Sequence, residues 1–533
     1  MVESDHEIAL EDTDRIHGRA ALVNNVKAAT SLAGAVRSTL GPMGLDKMLV
    51  GSDGSSIVTN DGVTVLEAAQ VEHPTARLLI EASSSQDRSS RDGTTTTVIL
   101  ISEMLQNALE LVRMGVHPSI IINGYNIALK EAISEIERVS LEAGNDEKEM
   151  VVRTSLQGKS DSALCELLAS LAIRAANSIS DEDGGEDLER FLIKRLEIRK
   201  GDVMETCLED GLVMMKSRVD PVTPSKSNGG LVALIDGGLE NRKFEFSASI
   251  EISSPELIKE FHDEGLSNLE RRISHLSSLG VDLLVVREGI ADEAFSLLSK
   301  AGITAYRRFE RRDLELLAKI TGAKISRDPL KISKDDLGDY SGRREESIAG
   351  VKHTVFEGST GIGKTLLARG SSPMIREESI RIFDDALGVA HRLNSDSRIL
   401  PGGGAIHTHL ARFIRKLSLS QSGREQLAMD AFSASMEAIP RILAENAGRD
   451  PVDVILSLSA DQKEGGEWVG FDLEKGRNCD MRESGILDPM FVVKSSISGA
   501  TEAAISVIRI DDVLWAKTDP LTPDWKDEEE VGG

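Results

Sequence analysis

A multidomain chain is predicted, with one mainly helical domain built from both ends of the sequence and α/β segments between them. Three observations predict it. Apolar residues recur at helical spacing over 20–40 and 101–112, and long helical patterns return after Met374. From Pro221 the pattern instead alternates strand with helix. The length of 533 residues suits three or four domains, and no fixed-period repeat points to a solenoid.

Residues 1–17 are polar and acidic without a sustained period, so a tail is expected there. From 20 to 40 the spacing is helical. Between Ile57 and Val65, β-branched runs flank Asn60-Asp61-Gly62, a pattern expected to give a hairpin. A helix rich in Ala and Leu is expected around 76–83. Ile101, Leu105, Ala108, Leu109 and Val112 then mark one face of a helix that begins after Asp92 and stops at Gly115, ahead of Pro118. More helices extend to about residue 143. Residues 145–216 mix helices with charged strand-like pieces, including the polar run Ser180-Asp181-Glu182-Asp183-Gly184-Gly185. Leu231-Val232-Ala233-Leu234-Ile235 and Asp282-Leu283-Leu284-Val285-Val286 read as buried strands of an inserted α/β domain. Between them Ser253-Ser254-Pro255 caps a helical stretch carrying Leu257, Ile258, Phe261, Leu266, Leu269, Ile273 and Leu276. Helix dominates again over 405–446, residues 472–489 are turn-rich, and 501–510 is helical.

Composition narrows the function. Hydrophobic residues at 40% and charged residues at 28% suit a folded chain. The net charge of −26 repels phosphate backbones and anionic lipid, so neither nucleic acid nor membrane is expected as a partner. Aromatic residues at 3% leave little for base stacking. Cys165, Cys207 and Cys479 lie too far apart in sequence for a CxxC metal site or a disulfide framework, and Cys165 and Cys207 read as packing residues. The acidic N-terminus is unlike a signal peptide and no run of 18 apolar residues occurs, so a cytoplasmic location is expected. His407 and His409, two apart on an expected helix, point to different faces and do not make a metal pair.

Gly358-Ser359-Thr360-Gly361-Ile362-Gly363-Lys364-Thr365 matches the phosphate-binding loop pattern at every fixed position. Such a loop needs a helix starting at its Lys, because the helix N-terminus supplies the dipole and amides. Here the breaker cluster Gly370-Ser371-Ser372-Pro373 follows after only Thr365-Leu366-Leu367-Ala368-Arg369. His353-Thr354-Val355-Phe356 ahead of the loop reads as a strand, so strand, turn, strand is expected. The best partner carboxylate, Asp236, precedes the loop, whereas a P-loop fold needs it after. A P-loop NTPase centred on this motif is the rival reading.

Asp92-Gly93-Thr94-Thr95-Thr96 puts a carboxylate and hydroxyls at a helix start, where unpaired amides can bind phosphate. A carboxylate beside phosphates needs a divalent cation between them, which would make Asp92 a Mg²⁺ ligand; it could instead be a simple N-cap. Asp61 could belong only to its turn. Leu40-Gly41-Pro42-Met43-Gly44 and Pro401-Gly402-Gly403-Gly404-Ala405 could be punctuation around helices, and Asp384-Asp385 could lie on a solvated helix face.

The order of motifs resembles a known family. Thr39-Leu40-Gly41-Pro42, Leu45-Asp46-Lys47-Met48-Leu49, Thr59-Asn60-Asp61-Gly62, Glu72-His73-Pro74 and Asp92-Gly93-Thr94-Thr95 come first. Pro401-Gly402-Gly403-Gly404-Ala405, Gly485-Ile486-Leu487-Asp488-Pro489, Ala500-Thr501-Glu502-Ala503-Ala504 and Arg509-Ile510-Asp511-Asp512-Val513 follow. Over about residues 18–515 the chain is similar to the group II chaperonins, the archaeal thermosome and its eukaryotic cytosolic relatives.

That resemblance implies a mainly α equatorial domain over 18–143 and 400–520 and an α/β intermediate domain over 144–216 and 366–399. It also implies an α/β apical domain over 217–365 with a helical lid protrusion near 254–279, and a second acidic tail at 521–533. By motif, Asp92 would hold Mg²⁺, while Thr39, Leu40, Gly41, Pro42, Gly93, Thr94, Thr95, Thr96, Gly403 and Asp488 would line ATP. Asp61 and Asp385 would position and activate the attacking water, and Lys159 resembles the lysine of the loop that senses the γ-phosphate. Chemically this is coherent, since phosphoryl transfer needs charge neutralisation and an in-line water. The implied function is an ATP-dependent folding chaperone that binds non-native polypeptide clients, in stacked rings of identical or related subunits. A weakly hydrolysing subunit of a mixed ring is the other alternative.

The chain departs from the family at Arg88-Ser89-Ser90-Arg91, at Met43, and in a C-terminus without a Gly-Gly-Met repeat. Arg91 stands where Gly is usual. If that position needs positive φ, the side chain costs on the order of 1–2 kcal/mol, and Arg91→Gly relieves it. Pairing with Asp87, or added positive charge near the triphosphate, are the alternatives.

Overall fold

Thr13–His17 and Asp512–Ala516 pair as antiparallel strands, with Ile16 opposite Val513 and His17 opposite Asp512. The last residues of the expected N-terminal tail are therefore a strand. The computed structural model describes residues 13–51, 54, 56–69, 71–179, 193–240, 255–359 and 361–516. The rest of both expected tails, the polar run at 180–185, the Ser253-Ser254 cap and Thr360 lie outside the described residues. The chain divides into two units, 1–166 with 388–533, and 167–387.

The first unit is a helical core. Helices Arg19–Val36, Pro74–Ser90, Thr94–Arg113 and Pro118–Val139 from the N-terminal segment pack with Ala405–Ser418, Glu425–Met436 and Met490–Ile508 from the C-terminal one. Their apolar faces meet at Leu100, Leu105, Ile121, Phe432 and Ile497, all fully buried. Tyr125 meets Phe432 edge to face at 5.8 Å and donates its hydroxyl to the Met104 carbonyl at 2.7 Å. That bond lets a polar ring sit in the core. Met490–Ile508 is long and apolar enough to cross a membrane, but 67% of its most apolar window is buried inside this unit.

The reading of Ile57 to Val65 as a hairpin is corrected. Ser56–Thr59 pairs with Lys47–Val50 instead, and Gly62–Ala68 is a helix capped by Asp61, whose Oδ2 accepts from the Thr64 amide at 2.9 Å. An Asp is as good a helix cap as a turn former, and burial of Val63, Val65 and Leu66 outweighs the weak strand preference of Val. The helix expected near 76–83 extends over Pro74–Ser90.

The second unit contains an eight-stranded sheet in which Thr304–Tyr306, Val281–Val286 and Gly230–Ile235 run parallel and Gly338–Ile348, Val351–Gly358 and Leu212–Met214 continue antiparallel. Strand alternation divides its side chains between two faces. Val232 and Leu234 pack with Leu314, Leu317 and Ile320 of helix Arg311–Thr321. Ala233 and Ile235 pack with Leu269, Ile273 and Leu276 of helix Pro255–Ser278, the stretch expected to carry the lid. A separate three-stranded sheet joins Ile193–Ile198, Lys364–Arg369 and Cys207–Asp210.

Candidate functional site

Helix Thr94–Arg113 organises the first unit's polar centre. Its N-cap is Gly93 at φ 79°, not Asp92, so the cap reading of Asp92 is corrected. A Cβ at Gly93 would lie 2.5 Å from Ser496 Oγ and 2.8 Å from Val492 Cγ1, so only glycine fits this conformation at this spacing. Asp92 accepts from the Gly93 amide at 2.8 Å through Oδ1, while its carbonyl accepts from Gln86 Nε2 at 2.9 Å. Thr94 and Thr95 are buried in the first turn, and Thr97 turns its hydroxyl back to the Gly93 carbonyl at 3.0 Å.

Three further segments converge on this helix start. Gly62 is one: a Cβ there would stand 3.2 Å from Thr94 Oγ1, which brings the neighbouring Asp61 to the same place. The Lys159 loop is the second, since a Cβ at Gly158 would stand 2.5 Å from the Gly41 carbonyl and 3.0 Å from Pro42 Cα. Asn60 ties the two by donating to the Gly158 carbonyl. The turn after Thr39 is held from the other side by Asn446, whose Nδ2 donates to the Arg37 carbonyl at 3.1 Å and the Leu40 carbonyl at 2.9 Å. Thr39 spends its hydroxyl on the Val36 carbonyl at 2.9 Å, so its role there is to shape the turn. The third is strand Leu487–Pro489, in which Asp488 faces Leu400 of Arg398–Pro401, just ahead of the Gly402-Gly403-Gly404 loop.

Electrostatics links the same groups. Burial pushes the Asp92 carboxyl up, the Lys159 charge and the Gly93 amide pull it down, and the Asp61 charge pushes it up again. Burial and the Asp92 charge raise Asp488 to about 7. Carboxylates gathered in a poorly solvated place disfavour one another until a cation joins them. This arrangement fits a divalent cation held by Asp92, with other ligands from a phosphate and water, as Mg²⁺ prefers. Among the described residues no group of three or more His, Cys, Asp or Glu is placed to hold a metal by itself.

Thus Gly41, Pro42, Asp61, Asp92, Gly93, Thr94, Thr95 and Lys159 come together, with Asp488 coupled to Asp92 and Gly403 beside its strand. Thr96 lies on the same first turn, half-buried. Gln86, Asn60 and Asn446 hold this geometry and were not among the expected site residues. Asn60 alone stood inside a motif already read, Thr59-Asn60-Asp61-Gly62, whereas Gln86 and Asn446 act through bonds that no local pattern marks. Asp385 belongs to the second unit, on helix Pro373–Ser395, where it is half-buried. Its neighbour Asp384 pairs with Arg195 at 2.6 Å, so the solvated-face reading of this pair is corrected.

The rival phosphate loop has no helix. Lys364 opens the strand Lys364–Arg369 and pairs with Asp210, and Asp236 pairs with Arg287. A Cβ at Gly358 would collide with the Ile320 backbone, its carbon lying 2.7 Å away, so that glycine serves packing. Arg91 adopts φ 56° as the C-cap of Pro74–Ser90 and pairs with Asp87 at 3.6 Å; the positive φ and the Asp87 pairing therefore hold together. His407 is buried, while His409 pairs with Glu135 at 2.6 Å, on different faces as expected.

Residues 32–518 match the model of the TCP-1/cpn60 chaperonin family. The chain is 37% identical to thermosome subunit beta of Archaeoglobus fulgidus over 515 residues, 96% of this chain and 94% of that one. It is 38% identical to a thermosome subunit of Methanocaldococcus jannaschii over 512 residues, 95% and 94% of the two chains. Thermosome subunit alpha of Thermoplasma acidophilum is 37% identical over 510 residues, again 95% and 94%. With its motifs in family order and the match running nearly end to end, the chain belongs to the TCP-1/cpn60 chaperonin family.

Proposed function

We propose that this group II chaperonin chain hydrolyses ATP with Mg²⁺ and uses the cycle to fold non-native polypeptides, as a subunit of stacked rings of identical or related subunits in the cytoplasm. The observation that carries the ATPase reading is the convergence of Asp61, Asp92 and Lys159 on a glycine-capped helix start, with Asp488 coupled to Asp92. Mg²⁺ bound with the nucleotide would neutralise the phosphates and polarise the terminal phosphoryl group. Asp92 would hold the cation. Glycines at 41, 93 and 403 let backbone amides approach the phosphates, and the Thr94–Arg113 N-terminus adds its dipole. Lys159 brings a positive charge to the same place. Asp61 and, by family motif, Asp385 orient the attacking water and accept its proton.

The same reading divides the chain into equatorial, intermediate and apical domains at the boundaries expected from the sequence, with the lid on the Pro255–Ser278 helix. Negative-stain imaging of the purified protein, with an ATPase assay on the same sample, tests the proposal. Double rings with Mg²⁺-dependent turnover are expected. Rings without turnover would favour the weakly hydrolysing alternative, and monomers without turnover would refute both.

A further inference from the structure

Arg91 is one of three non-glycine residues with positive φ among those described, and it directly precedes Asp92. Its amide donates to the Asp87 carbonyl at 2.8 Å, closing helix Pro74–Ser90, and its guanidinium lies 3.6 Å from the Asp87 carboxylate. Between these two ends the aliphatic stem lies on Gly388, in the C-terminal part of helix Pro373–Ser395. A Cβ at Gly388 would stand 2.7 Å from Arg91 Cβ and 3.2 Å from its Cδ, and nearer still to its Cγ. No alanine fits there while Arg91 keeps its place. The helix is anchored one turn later, where the Arg392 guanidinium covers the Phe491 ring at 5.5 Å.

We propose that Arg91 is a positioning residue for Asp92 and that Gly388 is the matched surface on which it rests. The proposal rests on the reading of Asp92 as the Mg²⁺ ligand. The Asp92 backbone is fixed on its C-terminal side by the Gln86 bond to the Asp92 carbonyl. On the other side it is fixed by the left-handed backbone of Arg91, which a residue with a side chain adopts only when its surroundings hold it. The stem against Gly388 supplies that hold, so its position governs the aim of the Asp92 carboxylate. The contact is made by methylenes, so the charge of Arg91 is secondary to its length.

The test is a double-substitution cycle on the full chain, read by calorimetric binding of ADP with Mg²⁺ and with EDTA. The quantity compared is the ratio of the two dissociation constants, the Mg²⁺ contribution. Gly388→Ala displaces the stem and Arg91→Gly removes it, so each is expected to reduce that ratio about tenfold, the scale of coupling between touching residues. The double variant refills the space with a methyl and is expected to return to within about twofold of the unaltered chain. Arg91→Lys keeps the stem and is expected to keep the ratio. The thermal midpoint of Arg91→Gly is expected to be equal or higher, because glycine removes the left-handed strain; a general loss of structure would lower it.

Single variants with an unchanged ratio, or a double variant no better than Arg91→Gly, overturn the proposal. If Gly388→Ala does not fold, comparison of the double variant with Arg91→Gly still decides. If the unaltered chain binds ADP equally with and without Mg²⁺, the reading of Asp92 itself fails, an outcome separate from failure of the pair.

Discussion

Gly62 and Thr95 touch with no side chain between them: a Cβ at Gly62 would stand 3.3 Å from the Thr95 amide nitrogen and closer to its hydroxyl. This contact sets the distance between Asp61, the cap of one helix, and the first turn of another. Gly62→Ala must push those helix starts apart, with an overpacking cost of about 1–3 kcal/mol. Denaturant unfolding should show that loss, and ATP turnover should fall with it. Full stability together with full turnover in Gly62→Ala would contradict the placement of Asp61.

Asp61 has two jobs that can be separated. Asn caps a helix about as well as Asp but is no base, so Asp61→Asn keeps the Gly62–Ala68 helix and removes proton transfer. Turnover should drop about 10²–10⁴-fold with ATP still bound. Asp385→Ala should give the same pattern, whereas Asp92→Ala should weaken binding chiefly when Mg²⁺ is present. Parallel ATP-binding and phosphate-release measurements distinguish these profiles, and ordinary turnover in Asp61→Asn would remove it from the mechanism.

Lys364→Ala should leave ATP affinity and turnover nearly unchanged, since the residue begins a strand and pairs with Asp210, whose carboxyl that bond pulls down. Asp210 is largely exposed, so losing the pair should cost about 1 kcal/mol or less. A variant that no longer binds ATP would restore the P-loop rival.

His407 gives the chain an acid sensitivity. It is buried in helix Ala405–Ser418, neither ring nitrogen has a hydrogen-bond partner among the described residues, and burial lowers its pKa from 6.5 to about 4. The folded state therefore takes up this proton later than the unfolded chain does. Its contribution is fully present above pH 6.5 and drains away as pH falls towards 4. Between pH 7.5 and 5 the loss should be about 2 kcal/mol. His407→Met should flatten that part of the profile in urea titrations at the two pH values; an unchanged slope would assign the sensitivity elsewhere.

Long regular helices were legible because their apolar periodicity coincides with their burial, as in Thr94–Arg113, where Ile101, Leu105 and Ala108 are all fully buried. The stretch from Ile57 to Val65 was misread because its local signals compete, and only the pairing of Ser56–Thr59 with Lys47–Val50 decides between them. The glycines and carboxylates of the site were visible as short motifs. What binds those motifs together was not: Asn446 reaches the Leu40 carbonyl across a sequence gap that no local pattern spans. Gly388 carried no signal of any kind, because its meaning lies in the shape of Arg91.

The pairing of Thr13–His17 with Asp512–Ala516, and of Tyr125 with Phe432, bears on how the protein is made. On a ribosome adding about 5–20 residues per second, the N-terminal helices emerge tens of seconds before their core partners exist. Through that interval the faces carrying Leu100, Leu105 and Ile121 have no C-terminal helices to cover them. The second unit, being continuous in sequence, can mature during the same wait. A member of a family of folding machines is thus, during its own synthesis, a nascent chain that presents the kind of uncovered apolar surface a chaperone takes up.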